Sequence, residues 1–195
     1  MYLALLLFVM IATLTPGGAT ALATASGVHF GFRHSVPLIF GIALGLASLA
    51  AVSAVGLGVV LRAAPALMWL MKTIGTAYLL FLAWRIAASG SPADMAASRV
   101  PLSAWSGALL LWLNPKAWAM TLGAAASFSA LSGSACWLAG ILGTAFGVAA
   151  LISLSLWCAV GRTLARILRT EQHWRRANIA LGTLLAISIV PIWLG

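Results

Sequence analysis

Six long apolar blocks are separated by short polar ones: about Leu3–Ala25, Val36–Leu61, Ala66–Ile86, Leu102–Ala126, Cys136–Val160 and Ala177–Trp193. Each approaches or exceeds the roughly 20 helical residues that cross a bilayer core of about 30 Å. The pattern predicts an all-α membrane protein of six transmembrane helices, with residues 1–195 forming a single transmembrane domain. The longest polar stretch, Ala87–Pro101, contains Ser89-Gly90-Ser91-Pro92-Ala93-Asp94 and divides the helices three and three. Residues 1–88 then form one three-helix repeat, 89–101 an inside linker, and 102–195 the second repeat. A repeat with an odd number of spans inserts upside down the second time. The halves are therefore expected to be inverted repeats, related by a pseudo-two-fold axis in the membrane plane.

Two of the apolar blocks are interrupted. The first carries Thr15-Pro16-Gly17-Gly18 and the fourth Asn114-Pro115-Lys116, and each proline stands 13 residues after the start of its block, at Leu3 and Leu102. Proline removes a backbone donor and clashes with the preceding turn, so carbonyls are left without helical partners. In hydrocarbon each costs several kcal/mol unless protein or a wet cavity satisfies it. At 1.5 Å per residue the breaks lie about 20 Å from opposite faces, so both pass near the bilayer centre. Matched interruptions of this kind point to a transporter's binding site.

Composition strengthens the membrane reading. The chain is 63% hydrophobic and 7% charged, with mean hydropathy +1.10, whereas a soluble domain is roughly 25% charged. The net charge of +9 follows topology. With the amino terminus outside, the inside loops hold Arg33, Arg85, Arg99, Arg162, Arg166, Arg169, Arg175 and Arg176, and only Arg62 falls outside. This bias fixes both termini outside and sets the basic run Arg162–Arg176 against anionic membrane lipid on the cytoplasmic side. No nucleic-acid partner is expected. Ala21-Leu22-Ala23 resembles a signal-peptidase site, but the first block lacks a basic leader and continues across its break, so it reads as a retained helix.

Most tryptophans fit aromatic belts, with Trp84, Trp105, Trp157 and Trp174 at the inner face and Trp69, Trp137 and Trp193 at the outer. Trp112 and Trp118 flank the second break, where they either wall a cavity or face lipid. Gly41-x-x-x-Gly45 and Gly143-x-x-x-Gly147 give small faces for helix packing or dimerisation.

Candidate chemistry is sparse. The acids Asp94 and Glu171 fall in inside loops, as do His29, His34 and His173, so no span holds a carboxylate or histidine. The usual proton relay and the usual counter-charge for a cationic substrate are missing. Cys136 and Cys158 have no metal or redox spacing and read as small apolar fillers. No metal, cofactor or catalytic set is expected, and the chain does not read as an enzyme. Lys116, beside the second break, is either an anchor for a substrate carboxylate or a tie to freed carbonyls. Lys72 lies near the outer end of its span and can snorkel to headgroups. Gly17 and Gly18 allow close backbone approach. A helix restarting there would present amides suited to a carboxylate, with Thr15 and Thr20 adding hydroxyls.

These residues resemble the lysine exporter (LysE/RhtB-type) family of bacterial amino-acid exporters along most of the chain. Thr15-Pro16-Gly17-Gly18 looks like a changed copy of the family's Pro-Gly-Pro break. Gly27, Gly31 and Arg33 echo the glycine and basic loop downstream, and Gly41–Gly45 the second-helix pattern. Lys72, Gly75, Ala77-Tyr78-Leu79-Leu80 and Trp84-Arg85 echo the third helix, and Leu113-Asn114-Pro115-Lys116-Ala117 resembles the Asn-Pro-Lys signature. The resemblance implies amino-acid export across the bacterial cytoplasmic membrane, coupled to an ion gradient for which protons are the candidate, with a homodimer plausible. It places Thr15, Pro16, Gly17, Gly18, Thr20, Lys72, Tyr78, Asn114, Pro115 and Lys116 among candidate substrate-binding residues.

The family's second proline is Gly18 here, its paired asparagines are Ala19 and Thr20, and the acid after the second-helix glycines is Leu46. The missing acid favours a neutral, zwitterionic or anionic substrate over lysine or arginine. A thiol-redox membrane protein needs a cysteine near the centre of each half, and a metal exporter needs intramembrane Asp, Glu or His; neither is present. A passive channel, or a non-transporting membrane protein on the same fold, is the remaining alternative.

Overall fold

The computed structural model describes residues 1–56, 65–88, 101–168, 170–187 and 189–190; the side chains of Pro65, Leu67, Met68, Met71, Lys72 and Pro115 also lie outside this description. Arg62, Arg99, Arg169, Asp94, Trp193 and most of the 89–101 linker fall outside it as well. The described residues form seven α-helices and a 3-10 turn with no strand: α1 Tyr2–Leu14, α2 Gly18–Ala54, α3 Pro65–Ala87, α4 Ala104–Trp112, α5 Pro115–Ser127, the turn Ser129–Leu131, α6 Ala135–Ile167 and α7 Glu171–Ile187. The first and fourth apolar blocks are each divided in two at the expected residues. α2 and α6 are long and apolar enough to cross a membrane.

α2 merges the second half of the first block with the second block. The expected inside loop around His29–His34 shrinks to one non-helical residue, Gly31, at φ 74° and ψ 172°. A side chain at that φ clashes with its own backbone, so glycine is required. The chain turns back there: Ser26 and Ser35 are nine residues apart, about 13 Å of straight helix, yet their hydroxyls are hydrogen-bonded at 2.7 Å. α2 is therefore a helical hairpin of arms 18–30 and 32–54. α6 runs seven residues beyond the expected Val160, and α7 starts six residues before Ala177. Arg162 and Arg166 thus sit on the last turns of one helix, and Arg175 and Arg176 on the first turns of the next. Between the two helices the described residues Leu168 and Thr170 are non-helical. Helical hydrogen bonds continue over the four arginines because arginine is a good helix former.

Lipid gives little hydrophobic drive to helix association, so small residues and close contact hold the bundle. α2 packs most extensively on α6 and then on α4, and α3 packs on α7. A Cβ added at Gly27 or Gly161 would overlap the carbonyls of Cys158 or Thr24, pinning the first arm of α2 to α6. Gly41 lies against the Ala104 carbonyl of α4, while Gly143 and Gly147 lie against Ala47 of α2. The glycine motifs are thus used within the chain, which removes them as an argument for a dimer. The outer surface is apolar: α1 buries only Leu5 and Val9 and exposes Leu3, Leu6, Leu7 and Ile11. Trp69, Trp84, Trp105 and Trp137 are all more than 60% exposed. Two expected belt residues depart from that pattern: Trp174 is buried beside the His29 ring, and Trp157 is only partly exposed and bonds to Leu14 O.

Candidate functional site

At the first break the α1 helix ends at Leu14 and α2 begins at Gly18, so three residues carry the interruption. Pro16 has no N–H to return to Ala12. Gly17 turns its N–H away from Thr13 and donates it to Thr20 Oγ1 at 2.7 Å, while that hydroxyl donates to the Gly17 carbonyl at 2.9 Å. Thr20 thereby caps α2. The freed carbonyls are met from elsewhere in the chain. Ser153 Oγ donates to Thr13 O at 2.7 Å and Trp157 Nε1 to Leu14 O at 3.3 Å, both from α6. Lys116 Nζ reaches Thr15 O at 3.4 Å and Pro16 O at 3.5 Å. Thr15 turns its own hydroxyl back onto Ile11 O at 2.6 Å.

The second break is tied more locally. Asn114 caps α5, its Oδ1 accepting from the Lys116 N–H at 3.0 Å, and Pro115 stands at the first turn, where a missing N–H costs nothing. Trp118 Nε1 donates to Trp112 O at 2.8 Å, and Trp112 Nε1 donates to Ser48 Oγ at 3.2 Å. The two rings meet edge to face at 5.7 Å. These tryptophans act as braces for the break. Gly75 of α3 abuts the Leu113 carbonyl, where a Cβ would overlap it.

Between the breaks lies a cavity of about 40 Å³ lined by Thr13, Thr15, Gly17, Gly18, Thr20, Asn114 and Lys116 on its polar side. Ile42, Leu46, Leu111, Met120, Ala150 and Leu154 supply the apolar side. A water needs roughly 10–15 Å³ on this measure, so the space holds a few waters and no amino acid. The space is partly open and not an enclosed chamber. Its poles are distinct. The end of α1 presents carbonyls, and the start of α2 presents amides carrying the partial positive charge of a helix N-terminus.

Six of the ten sequence candidates line this space: Thr15, Gly17, Gly18, Thr20, Asn114 and Lys116. Pro16 contributes its carbonyl and Pro115 the start of α5. Tyr78 is half-buried on α3 and is not among the cavity's lining residues. Lys72 lies on α3, with its side chain outside the described residues. Sequence reasoning did not single out Thr13, Met120 or Ser153, since a threonine, methionine or serine inside an apolar run carries no positional signal. Leu46 had drawn notice only as the place of a missing acid. Among the described residues no cluster of His, Cys, Asp or Glu could hold a metal.

The LysE type translocator family model matches residues 10–188, nearly the whole chain and both breaks. The chain belongs to the LysE type translocator family. As a LysE-type translocator it is an integral membrane transporter and not an enzyme. It is similar to the cysteine/O-acetylserine efflux proteins of Escherichia coli strain K12 and Shigella flexneri, at 29% identity over 192 residues covering 95% of this chain and 94% of each relative. No solved structure matches this translocator.

Proposed function

We propose that this translocator exports a small neutral or zwitterionic amino acid across the bacterial cytoplasmic membrane by alternating access, driven by an ion gradient. The observation that carries the reading is the small cavity between the two helix breaks, with Lys116 bridging from the second break to the first. A carboxylate entering there would meet the Lys116 ammonium and the amides at the start of α2, both favourable to an anion. The apolar side around Leu46 and Met120 suits a short side chain and offers no carboxylate to a second positive charge. The names of the relatives, cysteine and O-acetylserine efflux, lie within this class.

Six spans in two inverted repeats, with both termini outside, are part of the same proposal. Contacts between equivalent helices support it, because a two-fold axis brings like to like. The first and fourth blocks meet through Lys116 and Thr15, the second and fifth through Ala47 and Gly147, and the third and sixth through Ala83 and Gly182. Crossed contacts agree: Ser48 of α2 meets Trp112 at the second break as Ser153 of α6 meets Thr13 at the first.

Counterflow in vesicles tests the reading. Vesicles holding the purified translocator and loaded with unlabelled L-cysteine, L-alanine or L-lysine would be given the same amino acid labelled outside. Saturable accumulation of the neutral labels and not of lysine is expected. Accumulation of lysine alone, or equilibration of every label without saturation, contradicts it; the second outcome is that of a channel.

A further inference from the structure

The carbonyls freed at the first break are served in two ways. Thr13 O and Leu14 O receive neutral donors from the packed helix α6, Ser153 at 2.7 Å and Trp157 at 3.3 Å. Thr15 O and Pro16 O receive an ammonium on a flexible four-carbon stem, at 3.4 and 3.5 Å. Those distances lie beyond the usual 2.7–3.2 Å of an N–H···O bond, so the ammonium is held loosely. Room for it exists because residue 17 has no side chain: a Cβ there would come within 3.0 Å of Lys116 Nζ. Thr15 and Pro16 are exposed at the rim of the cavity, and a pair of carbonyls at the negative end of a helix makes a place for a cation. The chain fills it with its own cation, and Lys116 and Thr15 both border the cavity.

We propose that the paired carbonyls of Thr15 and Pro16 are the subsite for the α-ammonium of an amino acid, and that Lys116 occupies it only while substrate is absent. The proposal rests on the reading of the cavity as an amino-acid site. On binding, the substrate carboxylate draws the Lys116 ammonium off the carbonyls, and the substrate α-ammonium takes its place. The carbonyls face one ammonium before and after, and Lys116 exchanges two neutral acceptors for a charged one. No charge is left without a partner at either stage, and the cavity lining supplies no acidic side chain. Charge selection follows. A cation lacking a carboxylate would set a second ammonium beside Lys116, and an anion lacking an amine would leave the carbonyls empty. The resident lysine thus makes the site a zwitterion filter.

Thermal unfolding of the full-length protein in detergent tests this with two matched probe pairs, L-cysteine with cysteamine and L-alanine with ethylamine. Each amine is its amino acid without the carboxylate. The expected result is that the wild type is stabilised by an amino acid and not by its amine. Lys116→Met should gain stabilisation by the amine, and its preference for the amino acid should fall by about tenfold or more, the loss of one charge-assisted contact. Lys116→Gln keeps a neutral donor to the carbonyls, so it supplies the same comparison in a protein whose break remains tied. If the amino acids stabilise the wild type while neither variant responds to the amines, the ammonium subsite is overturned and the cavity reading stands. If neither amino acid stabilises the wild type, the cavity reading fails and the subsite with it.

Discussion

Ser153→Ala isolates the hydrogen bonding that keeps the first helix open. Ser153 is fully buried, and its hydroxyl supplies Thr13 O at 2.7 Å with the bond that Gly17 has given to Thr20. Removing one oxygen leaves almost no void, so the expected cost is that of an orphaned buried carbonyl. In water-soluble proteins that is about 1–3 kcal/mol. In membranes interhelical side-chain bonds average about 0.6 kcal/mol and reach about 1.7, because the unfolded chain also finds partners. This carbonyl cannot re-form its helical bond without dismantling the Thr20 cap, which places it in the upper range, about 1–1.7 kcal/mol. For a chain of this size that is a fall in Tm of about 2–7 °C. The assay is thermal unfolding in detergent, with Ser129→Ala as a control, since Ser129 is exposed and bonds only to Ala126 O in its own turn. Equal Tm values for Ser153→Ala and the control would refute the view that α6 holds the break.

Three further outcomes are expected. Gly161→Ala should cost about 1–3 kcal/mol as α6 is pushed off the Thr24 carbonyl, whereas Gly140→Ala, inside the same helix with nothing within 4 Å, should stabilise by up to about 1 kcal/mol; unfolding in denaturing detergent compares them. Leu46→Asp restores an acid to the cavity wall and should admit L-lysine in counterflow, at a stability cost of up to about 3 kcal/mol; absence of lysine exchange in a folded variant would remove the missing acid as the reason for neutral selectivity. A membrane-impermeant maleimide applied to spheroplasts should label exposed Cys136 and spare buried Cys158, and labelling of Cys136 only in inside-out vesicles would reverse the proposed topology.

The breaks were legible because proline leaves a mark that no side-chain context hides, and Asn114-Pro115 reads directly as a helix cap. The span of α3 follows from the length of its block, and those of α4 and α5 from the break that divides theirs. What the sequence concealed is long-range. That Lys116 meets Thr15, about a hundred positions away, could be framed as one of two roles but not chosen, since spacing says nothing about which carbonyls a flexible side chain finds. The hairpin at Gly31 reads as a polar loop because His29, Arg33 and His34 look like loop residues, yet all three sit in helical turns, with the His29 ring packed against Trp174. Ser153 escaped notice, and Trp157 reads as a belt residue, for the opposite reason. A serine or tryptophan in an apolar helix gives no sign of whether it faces lipid or a broken backbone. Tyr78 entered only by resemblance, and the cavity does not include it.

The most direct test of the central claim is efflux of a labelled amino-acid mixture from vesicles containing the purified protein, with and without an imposed proton gradient. Saturable loss of small neutral amino acids, accelerated by the gradient and abolished with the carrier heat-denatured, is the predicted result. Loss that rises linearly with concentration and ignores the gradient, or no loss of any amino acid, would contradict the account.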